Sequence, residues 1–130
     1  MLNGLSQTLL KATCPGVPDC YQGCELWDLR LVDPDNRGTI DFEKRRELAG
    51  VLREMHESLK RENTEKLLAS WQNGLVKMHI LNGALNARKE NPDLFLDGEY
   101  LPLEVRGQHK DRVVAFARKN GNDWLVSISG

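Results

Sequence analysis

Hydrophobic and polar positions follow a helical period through most of the first ninety residues and an alternating one afterwards. Leu2, Leu5, Leu9 and Leu10 put an apolar side on a short helix over residues 2–12. A longer helix is expected from Phe42 to about Glu62, with Asp41 as N-cap and Leu48, Val51, Leu52, Met55 and Leu59 as its buried stripe. Asn63-Thr64 interrupts that pattern, and Thr64 is placed to cap a short helix from Glu65 to Trp71. Asn73-Gly74 reads as a turn. The next helix runs from Leu75 to about Glu90, burying Met78, Leu81 and Leu85, and stops before Pro92. Alternation then predicts strands over 99–106, 112–118 and 123–129, the last two joined by a tight hairpin at Asn120-Gly121. The expected fold class is α+β: a helical N-terminal half followed by a small three-stranded antiparallel meander.

One stretch obeys neither period. Thr13 to Arg37 carries prolines, glycines, four aspartates, a Tyr-Gln pair, a Glu and a Trp. Proline fixes φ and glycine permits backbone that other residues avoid, so this composition specifies a loop held in one shape. Carboxylates and amides for hydroxyls, with flat rings beside them, are what a sugar pocket requires.

Composition narrows the partners. The 130 residues are 40% apolar and 28% charged with a net charge of −1, the profile of an ordinary globular domain. That balance gives no reason to expect nucleic acid or a membrane surface as partner. No run approaches the ~20 apolar residues of a membrane span, and Met1–Thr13 lacks the pattern of a secretory signal. Three cysteines in such a chain point to a reducing, cytoplasmic setting.

The irregular stretch also carries a resemblance. Gly16-Val17-Pro18-Asp19-Cys20-Tyr21-Gln22-Gly23-Cys24-Glu25-Leu26-Trp27-Asp28, then Leu31-Val32-Asp33-Pro34-Asp35-Asn36-Arg37, resembles the PGVPD-x-YQG-x-ELWD and LVDPDNR signature of the maltooligosyl trehalose synthases, a branch of the α-amylase superfamily. Cys20 and Cys24 stand where the family carries an apolar residue and a Thr, and Gly38-Thr39-Ile40 replaces its Arg-Pro-Val. The likeness extends through Leu68-Ala69-Ser70-Trp71, Asn91-Pro92-Asp93-Leu94-Phe95 and Gly98-Glu99-Tyr100-Leu101-Pro102-Leu103 to Val113–Arg118. It implies a C-terminal segment of a larger enzyme: residues 1–91 as a barrel-end strand, loop and helices, and residues 92–130 as part of a truncated C-terminal β-sandwich. It implies intramolecular transglucosylation of a maltooligosaccharide, an isomerisation that makes maltooligosyltrehalose.

Glycoside chemistry needs two flanking carboxylates, about 5–5.5 Å apart in retaining enzymes. The resemblance places the acids of this superfamily on earlier barrel strands, so no catalytic residue is assigned here. It implies a substrate-shaping role for Tyr21, Gln22, Glu25, Trp27, Asp28, Asp33, Asp35, Asn36 and Arg37, with Tyr21, Trp27 and Asp35 expected to converge on one concavity. The competing reading is structural: Glu25 pairs with Arg37 or Arg30, and Trp27 is core. The alternative function is a stand-alone maltooligosaccharide-binding or interaction module, with self-association through surface that the barrel would cover.

Metal chemistry has weaker support. Asp33 to Lys44 follows a calcium EF-hand loop in part, but Arg37 and Lys44 put cations where that loop needs oxygens. Cys14, Cys20 and Cys24 lack the paired spacing of a zinc site. His56, His79 and His109 have no nucleophile indicated beside them, and the charges of Glu43–Arg46 and Glu57–Glu62 read as a solvated helix face. No cofactor is expected.

Overall fold

The computed structural model describes residues 1–57 and 61–130, with no description of the side chains of residues 56–63. The expected roles of Leu59, His56 and the Glu57–Glu62 charges therefore lie outside the described residues. Among the described residues the order is α1 (Leu2–Thr13), α2 (Phe42–Glu57), α3 (Arg61–Ala69), α4 (Leu75–Glu90), α5 (Pro92–Leu96), β1 (Glu99–Pro102), β2 (Val114–Asn120) and β3 (Asp123–Ser129). The fold is α+β, helices first and an antiparallel sheet of order β1-β2-β3 last. Met1–Asp19 with Ile80–Gly130 forms one compact unit, and Cys20–His79 forms another.

In the first unit, α1 and α5 pack on the sheet. The buried face of α1 is Leu5, Thr8, Ala12 and Thr13, whereas Leu2 is exposed and Leu9 and Leu10 are half-buried. Two threonines thus share the buried face with Leu5 and Ala12, where the pattern expected Leu2, Leu9 and Leu10. Their hydroxyls are satisfied within the helix, Thr8 Oγ1 donating to Gly4 O at 2.7 Å and Thr13 Oγ1 to Leu9 O at 2.8 Å. Thr13 also meets the buried Ser127 hydroxyl at 3.1 Å, so this polar side chain on the inner face of β3 is paired. On the opposite face of that strand Trp124, Val126 and Ile128 are exposed, while Leu125 on the inner face is half-buried. Leu81 and Ala84 of α4 are buried, but Leu85 lies at the exposed margin of its helix. Near the end of α4, Arg88 donates to Ala12 O at 3.0 Å and Gly16 O at 2.7 Å, holding the exit from α1.

The strands differ from expectation at their ends. β1 closes at Pro102 instead of reaching residue 106, although Leu103 N still donates to Ala115 O at 3.0 Å; Pro102 is tolerated because β1 is an edge strand. A 3-10 turn over Lys110–Arg112 delays β2 by two residues. The hairpin loop is Gly121-Asn122, since Asn120 already pairs with Asp123. Gly121 alone has positive φ (58°), the pattern of a turn with Gly at its first central position. Between α5 and β1, Gly98 allows a close backbone approach: a Cβ there would sit 2.1 Å from Leu94 O. Its carbonyl and that of Phe95 accept from the buried Arg118 guanidinium at 2.8 and 3.1 Å.

In the second unit, Leu26, Leu52, Leu67, Leu75, Val76 and Met78 form the core. Asp41 caps α2 as expected, its Oδ1 accepting from Lys44 N at 2.9 Å. The α2 stripe is narrower than predicted, with Leu52 buried, Leu48 and Met55 half-buried and Val51 39% exposed. Thr64 is not at a helix start: it lies inside α3, where Thr costs only a few tenths of a kcal/mol relative to a good helix former. Trp71 leaves the helix for a 3-10 turn, Trp71–Asn73, ended by Gly74 at φ 81°.

Gly98→Ala should destabilise the protein by at least about 2 kcal/mol, because the new methyl meets backbone and not a yielding side chain. Urea unfolding followed by circular dichroism measures this; an unchanged midpoint would contradict the close approach.

Candidate functional site

The irregular stretch of the second unit is shaped by three arginines. Arg45 of α2 forks into the loop: Nε donates to Glu25 Oε2, one terminal nitrogen to Gly23 O and the other to Asp41 O, each at 3.0 Å. Its side chain is only 16% exposed, so the charge is well ordered and largely withdrawn from water. Arg45 is therefore not part of a solvated face, and Glu25 pairs with it and not with Arg30 or Arg37.

Arg30 makes a two-pronged pair with Asp28, at 2.9 Å from Nε and 2.6 Å from a terminal nitrogen, and also donates to Gly38 O at 3.3 Å. The Arg30 side chain and backbone N–H hold the Asp28 carboxyl down to about 2, and the carboxylate raises the guanidinium in turn. Asp28 is ionised at neutral pH and has no proton to give, which removes it as a general acid. Arg37 pairs with Asp33 in the same two-pronged way, at an exposed position. Asp35 Oδ2 accepts from Leu31 N at 2.6 Å, closing a local turn.

These contacts frame a cleft of about 360 Å³, within the ~300–1,000 Å³ range of small-molecule pockets. Gly23 and Gly74 let its walls meet. A Cβ on Gly23, at φ 91°, would lie 2.8 Å from the Ile40 side chain, and one on Gly74 would lie 3.0 Å from Leu26 Cβ. Trp27 lines the cleft and is fixed by its indole N–H, which donates to Trp71 O at 2.6 Å. Trp71 meets it edge-on at 6.3 Å, and the Lys77 ammonium lies 5.7 Å from a Trp27 ring centroid while donating to Leu26 O. Trp27 is half-buried, a wall residue more than a core one.

Of the nine residues expected to contact substrate, the cleft takes Trp27 and Asp28. Glu25 stands behind it, holding Arg45. Tyr21, Gln22, Asp33, Asp35 and Arg37 are exposed and do not line it, and Asn36 is half-buried away from it. Lys44, Gln72 and Asn73 line the cleft and were not anticipated. Asn73-Gly74 was legible as a turn, but nothing local shows that it folds back onto Leu26. Asn73 Oδ1 is engaged in accepting from Leu75 N at 2.8 Å, at the start of α4.

Asp28 and Asp41 are the carboxylates on the cleft, and both are engaged, by Arg30 and by the α2 N-terminus. Among the described residues no group of three or more His, Cys, Asp or Glu side chains is placed to hold a metal ion. Asp33 and Asp35, the first oxygens of the partial EF-hand pattern, are instead bound to Arg37 and to Leu31 N. Cys14, Cys20 and Cys24 are in no disulfide. No described helix is long and apolar enough to cross a membrane.

No protein-family model matches the chain. Proteins from two strains of Mycobacterium tuberculosis, provisionally named maltooligosyl trehalose synthase, are 39% identical to it over 127 residues. The match covers 98% of this chain and 14% of each relative, so the chain spans a small part of their length. A crystal structure of maltooligosyl trehalose synthase superposes with a TM-score of 0.70 at 36% identity, over 88% of this chain and 14% of that one. The enzyme from Arthrobacter ramosus superposes with a TM-score of 0.67 at 31% identity, over 98% of this chain and 15% of its own. By sequence and by structure, the chain is similar to a C-terminal portion of the maltooligosyl trehalose synthases.

Proposed function

We propose that this chain serves as the C-terminal part of a maltooligosyl trehalose synthase and supplies substrate-binding surface without supplying the reacting acids. The reaction is the isomerisation of the reducing-end α-1,4 linkage of a maltooligosaccharide to an α,α-1,1 linkage, a glucosyl unit moving within one molecule. Residues 1–91 correspond to the end of the barrel with its loop and helices, and residues 92–130 to part of the following sandwich. The setting is cytoplasmic. The observation that carries the reading is the conjunction of homology along nearly the whole chain with a cleft walled by Trp27, whose flat ring suits a sugar face. Trp27 and Asp28 are the direct contacts favoured here. Tyr21, Gln22, Asp33, Asp35, Asn36 and Arg37 would act on more distant glucosyl units, and Glu25 acts by holding Arg45.

A second element of this reading rests on Leu29, Leu31 and Val32, which are 93%, 78% and 81% exposed within four residues of each other. Apolar side chains so closely spaced favour a covering partner. In the assembled enzyme that cover is the barrel; in isolation it is another copy of the chain.

The purified chain should bind maltopentaose without converting it, and Trp27→Ala should weaken binding on the order of tenfold, equivalent to about 1.4 kcal/mol. Calorimetry measures the affinity and product chromatography the turnover. Formation of a non-reducing product, or affinity unchanged in Trp27→Ala, would overturn the reading. Sedimentation should show reversible self-association at high concentration that Leu29→Ser/Leu31→Ser/Val32→Ser reduces; a strictly monomeric wild type contradicts the covering role.

A further inference from the structure

We infer that Lys44 and Gln72 are specificity-determining contacts of the Trp27 cleft, and that the cleft takes a neutral, unphosphorylated glycosyl unit. This rests on the proposed function and adds to it the polar groups that read the ligand. Most polar side chains on the cleft are already occupied: Asp28 and Arg30 with each other, Arg45 with Glu25 and two carbonyls, Asp41 with the α2 N-terminus, and Asn73 with the α4 N-terminus. Lys44 and Gln72 line the same cleft, and neither side chain has a hydrogen bond or ion pair to a described residue. Their anchor points are nevertheless fixed. Lys44 N is bound by Asp41 Oδ1, and Gln72 sits in the 3-10 turn closed by Asn73 N to Ser70 O at 3.2 Å and Gly74 N to Trp71 O at 3.1 Å. A well-placed ammonium and a carboxamide are thus available beside an aromatic wall, offering donors from both and an acceptor from Gln72. Adjacent sugar hydroxyls, each both donor and acceptor, match that set.

Charge decides against an anionic ligand. Arg30, Lys44 and Arg45 at the cleft are balanced by Asp28, Asp41 and Glu25, and both guanidinium groups are consumed in pairs. A phosphate would find a single available ammonium, with the Asp28 carboxylate on the same cleft. A neutral ring meets no such repulsion.

The test is titration of the 130-residue chain with maltopentaose and, separately, with glucose 1-phosphate, followed by ¹⁵N–¹H correlation spectra and calorimetry. Lys44→Met and Gln72→Leu, each with unchanged circular dichroism, should each weaken maltopentaose binding by at least about threefold, the net worth of one hydrogen bond. The Gln72 side-chain amide signals should shift on adding maltopentaose, a readout that a merely structural role would not give. Wild-type affinity in both variants, with loss in Trp27→Ala, would overturn this inference and leave the proposed function standing. Tighter binding of glucose 1-phosphate than of maltopentaose would overturn the neutral-ligand assignment. No maltopentaose binding by the wild-type chain would overturn both.

Discussion

The shape of the second unit depends on one guanidinium. Arg45 reaches from α2 to a loop carboxylate and a loop carbonyl while holding the carbonyl of the helix's own N-cap residue. A loop rich in glycine and aspartate has many conformations of similar energy, and little apolar surface to select among them. Three hydrogen bonds from a largely buried cation, one of them to a carboxylate, select one. Once Gly23 is held there, Leu26 enters the core, Trp27 turns its edge to the Trp71 carbonyl, and Asp28 is left to pair with Arg30. The cleft follows from that sequence of constraints.

The same economy of charge explains why the site suits binding more than reaction. Each carboxylate that might serve as acid or base is bound by a cation or a helix N-terminus, and Asp28 is held ionised. Groups tied in this way give shape and electrostatic neutrality. The chemistry the cleft offers is aromatic surface, the Lys44 ammonium, the Gln72 carboxamide and the Thr39 hydroxyl, all suited to recognition.

Elements whose residues answer to local period were legible in the sequence. The helix from Leu75 to Glu90, the Asp41 cap and the β3 strand are where the pattern puts them, because capping and alternation are local physics. What was not legible depended on long-range contact. Arg45 is indistinguishable in sequence from the solvated charges around it, and only the approach of Gly23 twenty-two residues earlier makes it a clamp. Gln72 enters the cleft because Gly74 packs on Leu26, a contact across forty-eight residues of chain that no periodicity announces. On the first unit, the pattern put Leu9 and Leu10 on the apolar side, yet Thr8 and Thr13 are buried, because their hydroxyls bond back to the helix and so tolerate burial.

The most direct examination of this account is a crystal structure of the 130-residue chain soaked with maltopentaose. The account predicts a glucosyl ring against Trp27, with hydroxyls within hydrogen-bonding distance of Lys44 Nζ and the Gln72 amide. Density for sugar at Tyr21 or Asp35, with the Trp27 cleft left to solvent, would contradict it.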